Sequence, residues 1–141
     1  MDSADRQQLA SDLTVYAARL VRLVRRSHAP HAGTRVLSIL DENGPLGVSA
    51  LAHVDRCSQP TMTGQVKQLI ELGWVSRQDH PADARSTLIG LTEAGRVELM
   101  RIRRASADLV TERLDHTQFN LADLATAVAV LRAVLDEQEP S

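Results

Sequence analysis

The sequence predicts a mainly α-helical chain that carries one small β-hairpin. Three observations lead there. Apolar residues recur at helical spacing in six separate stretches, most of them bounded by capping or chain-breaking residues. Between the fourth and fifth stretches the period shortens to that of strands, in "WVSRQ" and "STLIGLT", around the polar turn "DHPADAR". Aromatic residues make up only 2 %, so Leu, Val, Ile and Ala must build whatever interior exists.

A first helix is expected over about 3–27, where Leu9, Leu13, Tyr16, Leu20 and Val24 share one stripe. "HAPHAG" interrupts it with proline and glycine. A shorter helix over about 34–41 carries Val36, Leu37, Ile39 and Leu40 and stops at "ENGP", a turn signal. After Gly47, "VSALAHVDR" gives a two-turn helix with Leu51 and Ala52 inward. Cys57 leads into Ser58, an N-cap residue type, with Pro60 in the first turn of the next helix, where its missing N–H costs little. That fourth helix places Met62, Val66, Leu69 and Ile70 on an apolar stripe, and Gly73 sits where a left-handed cap is needed. The hairpin that follows is expected to have a loop of moderate length. Thr92 caps the fifth helix, with Glu93 set favourably against the helix dipole, and the helix runs through Val97, Met100, Leu109 and Val110 to about Leu114. In the sixth, Asn120 is the N-cap, Asp123 its N3 partner, and Phe119 and Leu124 stand where a hydrophobic staple forms. Leu121, Leu124, Val128, Leu131 and Leu135 then repeat at heptad spacing. With Val130 and Val134 the apolar stripe is too wide to be left facing water.

Composition narrows the function. A chain of 141 residues suits one domain with a sizeable core, and 43 % apolar with 24 % charged residues is ordinary for a soluble protein. No apolar run approaches the roughly 20 residues that span a bilayer. The polar, acidic start "MDSADRQQLA" does not read as a signal peptide, so a cytoplasmic protein without membrane partners is expected. Cys57, the single cysteine, fits a reducing compartment. The net charge of −2 argues mildly against a nucleic-acid partner, but its distribution is uneven. Residues 1–35 hold six arginines against three aspartates, whereas 105–141 hold two arginines against seven acids. No nucleotide-binding, nucleophile-elbow or HExxH signature occurs, so no enzyme is expected. His28, His31, Glu112 and His116 lack a zinc-site pattern, and neither metal nor cofactor is expected.

The informative block is 48–91: two short helices joined by a tight turn, then a two-stranded hairpin. That is a winged helix-turn-helix pattern. Ser58, Thr61, Gln65 and Gln68 give the second of these helices a face that is polar yet almost uncharged. Glutamine can pair with adenine N6 and N7, and threonine offers thymine both a hydroxyl and a methyl. The candidate DNA-contacting set is Ser58, Gln59, Thr61, Thr63, Gln65, Lys67 and Gln68 on the helix, with Arg77, Asp83 and Arg85 on the hairpin. Arg85 at the wing tip suits a narrow minor groove, and Asp83 is expected to hold its guanidinium by a bidentate pair. The plainer alternatives are a capped helix facing water and a surface salt bridge of little energetic worth.

These residues carry a resemblance. "SALA", "SQPTMTGQVKQLIELGWVSR" and "DHPADARSTLIGLTEAG" look like the multiple antibiotic resistance regulator (MarR) family of bacterial transcription factors. The family's wing holds an Asp-x-Arg before a strand ending in Leu-Thr-x-x-Gly, here Asp83 and Arg85, then Leu91, Thr92 and Gly95. The similarity covers nearly the whole chain, with specific motifs in the middle. It implies a dimerisation helix in 1–30, a winged helix-turn-helix domain in 31–92, and further dimerisation helices in 93–141. A homodimer would read palindromic double-stranded DNA with two heads about 34 Å apart. Leu9, Leu13, Leu121, Leu124, Val128 and Leu131 are the candidate dimer residues, with a monomeric core as the alternative. The family also implies a repressor released by a small-molecule effector or by oxidation. Tyr16, His28, His31 and Arg35 are candidate effector contacts, against simple packing and solvation. Cys57 is either an oxidant sensor near a helix N-terminus or a small apolar plug. A winged-helix module for protein partners is the rival function. Two features depart from the family's pattern: Gly64 stands where relatives commonly have a basic residue, and 51–96 balances five basic residues against five acids.

Overall fold

In the computed structural model, which describes residues 2–28 and 33–136, six helices and one hairpin follow in the expected order. They are α1 (Ser3–His28), α2 (Arg35–Asn43), α3 (Val48–Asp55), α4 (Gln59–Glu71), β1 (Val75–His80), β2 (Asp83–Leu91), α5 (Glu93–Leu114) and α6 (Leu121–Leu135). The chain divides into two compact units, Met1–Ala105 and Ser106–Ser141.

In the first unit the core is assembled from one apolar face of each short element. Val36, Leu37 and Leu40 come from α2, Leu51 from α3, Met62, Val66 and Leu69 from α4, Val75 and Ile89 from the hairpin, and Leu99 from α5. The turn between α3 and α4 is made by Arg56, whose backbone is left-handed (φ 54°) and whose N–H reaches the carbonyls of Ala52 and His53. Ser58 then caps α4 as expected, its hydroxyl accepting from the Thr61 N–H at 3.2 Å. Gly73, at φ 79°, supplies the left-handed step after α4. Together α3, α4 and the hairpin make the winged helix-turn-helix unit.

The wing differs from expectation in its loop. β1 and β2 pair in register from Val75↔Leu91 to Asp79↔Thr87, then shift so that His80 meets Asp83. The turn is therefore only Pro81 and Ala82, and the slack appears as a bulge on β2 at 84–86. Polar residues at the tip lose nothing by pairing, because Asp79, Asp83 and Thr87 stay exposed in the strand. Leu46 adds a contact that its short "GPLG" context did not suggest. It exchanges two backbone hydrogen bonds with Ile89, at 3.0 and 2.7 Å, and so ties the start of α3 to the wing.

The Leu-Thr-x-x-Gly run has a physical basis. The Thr92 hydroxyl donates to the Gly73 carbonyl at 2.6 Å and accepts the Gly95 N–H at 3.0 Å, while the Thr92 N–H donates to the Trp74 carbonyl at 3.1 Å. Gly95 packs so tightly on that carbonyl that a Cβ there would collide with it. One threonine and one glycine thus lock the start of α5 onto the end of α4. In the second unit α6 opens with the full capping box: Asn120 Oδ1 accepts from the Asp123 N–H at 3.0 Å, and Asp123 Oδ2 accepts from the Asn120 N–H at 2.9 Å.

Candidate nucleic-acid interface

The two faces of α4 are cleanly separated. Met62, Val66 and Leu69 are buried at 2 % exposure or less, while Gln59, Thr61, Thr63, Lys67 and Gln68 are exposed. Part of this polarity is spent locally. The Ser58 hydroxyl donates to Thr61 Oγ1 at 2.8 Å, and the Thr63 hydroxyl donates back to the Gln59 carbonyl at 2.9 Å. The Thr61 oxygen is thereby held at the first turn of the helix, and its own proton remains free to be donated outward.

Gln65 breaks the expected row. It is half-buried, its Oε1 is enclosed with no hydrogen-bond partner among the described residues, and a Cβ added at Gly33 would come within 3.1 Å of the Gln65 Cβ. Its place on the helix explains this: Gln65 directly precedes the buried Val66 and follows Met62 by three residues, so it borders the core face. Thr61 and Gln68 stand further round. The amide expected to read a base therefore leans towards the segment ahead of α2.

On the wing, Arg77 is exposed on β1, and the Arg85 side chain is 97 % exposed within the bulge. The bidentate pair expected between Asp83 and Arg85 does not form. Asp83 Oδ1 accepts instead from the Arg85 backbone N–H at 3.0 Å, Oδ2 accepts from the Ser86 hydroxyl at 3.2 Å, and the guanidinium Nε stays 3.9 Å away. Two local donors outcompete a long side chain that would lose rotamer freedom in water. Asp83 shapes the bulge, and the Arg85 guanidinium stands exposed with only a loose ion pair to it.

The remaining candidates scatter. Arg35 makes a two-point pair with Asp55, Nε to Oδ1 and Nη2 to Oδ2, each 3.0 Å, with the Asp55 side chain 8 % exposed. This link between α2 and α3 spans twenty residues and has no local signal in the sequence. It leaves the charge balance of the head unimproved: with Arg35, Asp41 and Glu42 of α2 added to the five basic and five acidic residues of 51–96, the head is negative by one. Tyr16 is exposed on α1 with the Arg19 guanidinium 5.2 Å above its ring. His31 and the His28 side chain lie outside the described residues. Cys57 is half-buried against the core cluster, the position the apolar-plug reading anticipates. Among the described residues no cluster of three His, Cys, Asp or Glu could hold a metal ion, and no helix is long and apolar enough to cross a membrane.

Comparison with known proteins agrees with this architecture. The MarR family model matches residues 31–87. An uncharacterised helix-turn-helix-type transcriptional regulator of Mycobacterium bovis is 31 % identical over 137 residues, an alignment spanning 94 % of this chain and 96 % of the relative. Among solved structures, a proposed transcriptional regulator of Pseudomonas aeruginosa superposes with a TM-score of 0.79 at 23 % identity, covering 98 % of this chain and all of the other. The apo form of MarR from E. coli gives 0.65 at 21 % identity, covering 92 % and 96 %. The chain belongs to the MarR family of transcriptional regulators, and its winged helix-turn-helix is a DNA-binding fold.

Proposed function

We propose that this regulator works in the cytoplasm as a homodimer that reads a palindromic duplex operator and represses, with release by a small-molecule effector. The two-sidedness of α4 carries the DNA reading. Its apolar face is sealed into the core while Thr61 and Gln68, backed by Gln59, Thr63 and Lys67, are displayed to solvent, and such amide and hydroxyl groups can pair with base edges in a major groove. The exposed Arg85 suits an adjacent minor groove.

The dimer reading is supported by apolar surface that stays exposed among the described residues. Leu9 and Leu20 on α1, and Leu121, Val128 and Leu135 on α6, are between 45 % and 79 % exposed, with Leu13, Leu124 and Leu131 half-buried beside them. No residue of α6 is buried, so the alternative in which this helix fills a monomeric core finds no support. Repression and effector release rest on the family resemblance alone. Of the effector candidates, Arg35 would have to leave or share Asp55 to hold an anion.

Duplexes recovered by the protein from a random-sequence pool provide the test. In a gel-shift assay Arg85→Ala and Gln68→Ala should each weaken binding about tenfold or more while sedimentation still shows a dimer. Parental shifts from both variants would mean that the reading surface lies elsewhere. Salt separates DNA from a protein partner, because each phosphate contact lowers log affinity by about 0.9 per decade of salt.

A further inference from the structure

Gly64 is a residue that the protein's own fold does not require. It stands two positions from both Met62 and Val66, so at about 100° per residue it faces away from the core. It is exposed, its φ is not positive, and a Cβ built on it would meet nothing within 4 Å. Two other glycines show what a structural demand looks like: Gly73 holds φ 79°, and Gly95 leaves no room beside the Trp74 carbonyl. Gly64 has neither reason. Yet it occupies the interior of a helix, where glycine is among the least favourable residues.

Its neighbours indicate the cause. Thr61 lies three residues before it and Gln68 four after, so along the helix Gly64 sits between two of the polar side chains that the outward face displays. Glycine recurs where backbone must approach a ligand closely. We propose that Gly64 is a positioning residue for DNA, its missing side chain letting α4 lie closer to the duplex than alanine would permit and bringing Thr61 and Gln68 within reach of base edges. This rests on the assignment of α4 as the reading helix. The helix gives up stability in isolation for closeness of contact.

Gly64→Ala tests this with two measurements that move in opposite directions. The variant should melt about 4 °C higher than the parent, since alanine is the better helix former. It should bind the parent's selected duplexes about tenfold or more weakly, through steric overlap at each head. Because no charge changes, the loss should be the same at every salt concentration. A variant that melts higher and binds as tightly as the parent overturns the proposal, and so does one that melts lower, which would show that α4 itself needs the glycine. Failure of the underlying assignment looks different: the parent then selects no duplex, or its binding ignores Arg85→Ala.

Discussion

The winged head and the terminal helices are built from the same kind of residue and end in opposite states. Leu37, Leu51 and Leu69 are fully buried in the head, whereas Leu121 and Leu135 of α6 are 79 % and 77 % exposed. All five sit on apolar stripes of helical period. What differs is the supply of complementary faces. In the head, α2, α3, α4 and the hairpin each offer one apolar side to a shared centre. On α1 and α6 much of the apolar face is left exposed among the described residues. A stripe specifies that a face must be covered, and it leaves the covering surface to be supplied from elsewhere.

The sharpest way to break this contrast is to shorten one leucine of each kind. Leu69→Ala removes a fully enclosed side chain and should cost about 2–5 kcal/mol in urea denaturation, regardless of protein concentration. Leu121→Ala should cost well under half of that in dilute protein, and its effect should grow with concentration if the proposed dimer forms. Equal losses for the two at high dilution would place the α6 stripe in a core of the chain's own.

A second experiment turns on glycine. Gly95→Ala should destabilise by about 1–3 kcal/mol, because a methyl there meets the Trp74 carbonyl and must push the start of α5 off the end of α4. The same substitution at Gly64 is expected to stabilise. Thermal melts of both variants compare a glycine that the fold needs with one that it does not, and a stabilising Gly95→Ala would dissolve the distinction.

What the sequence made legible follows a pattern. Features closed within about four residues were readable: the Ser58 cap, the left-handed Gly73, the Asn120–Asp123 box, and the apolar stripes that set helix limits. The two-sidedness of α4 was readable for the same reason. Contacts across many residues were not. The Arg35–Asp55 pair and the Leu46–Ile89 bridge leave no periodic trace in the sequence. Spacing groups Gln65 with Thr61 and Gln68, but the side chain is half-buried beside Gly33, thirty-two positions earlier. Asp83 misled in the other direction. Its carboxylate has a charged neighbour that attracts attention, while an N–H and a hydroxyl within three residues take its oxygens first.

The smallest expected effect probes whether local specification matters where long-range cover is missing. Both bonds of the α6 capping box are exposed, so water replaces much of what a mutation removes. Asn120→Ala should therefore cost about 1 kcal/mol, and Asn120→Asp should restore most of it, since an aspartate accepts the same Asp123 N–H despite the neighbouring carboxylate. The manner of the loss is informative. If α6 is held by a partner's surface, the cost appears as an earlier cooperative melt, and helical ellipticity before the transition is unchanged. If α6 stands alone, the helix frays from its first turn, ellipticity falls at low temperature, and the main melt stays in place because the head never felt the cap. The second result would mean that the terminal helix, though written clearly into the sequence, contributes nothing to the cooperative unit that carries the reading face.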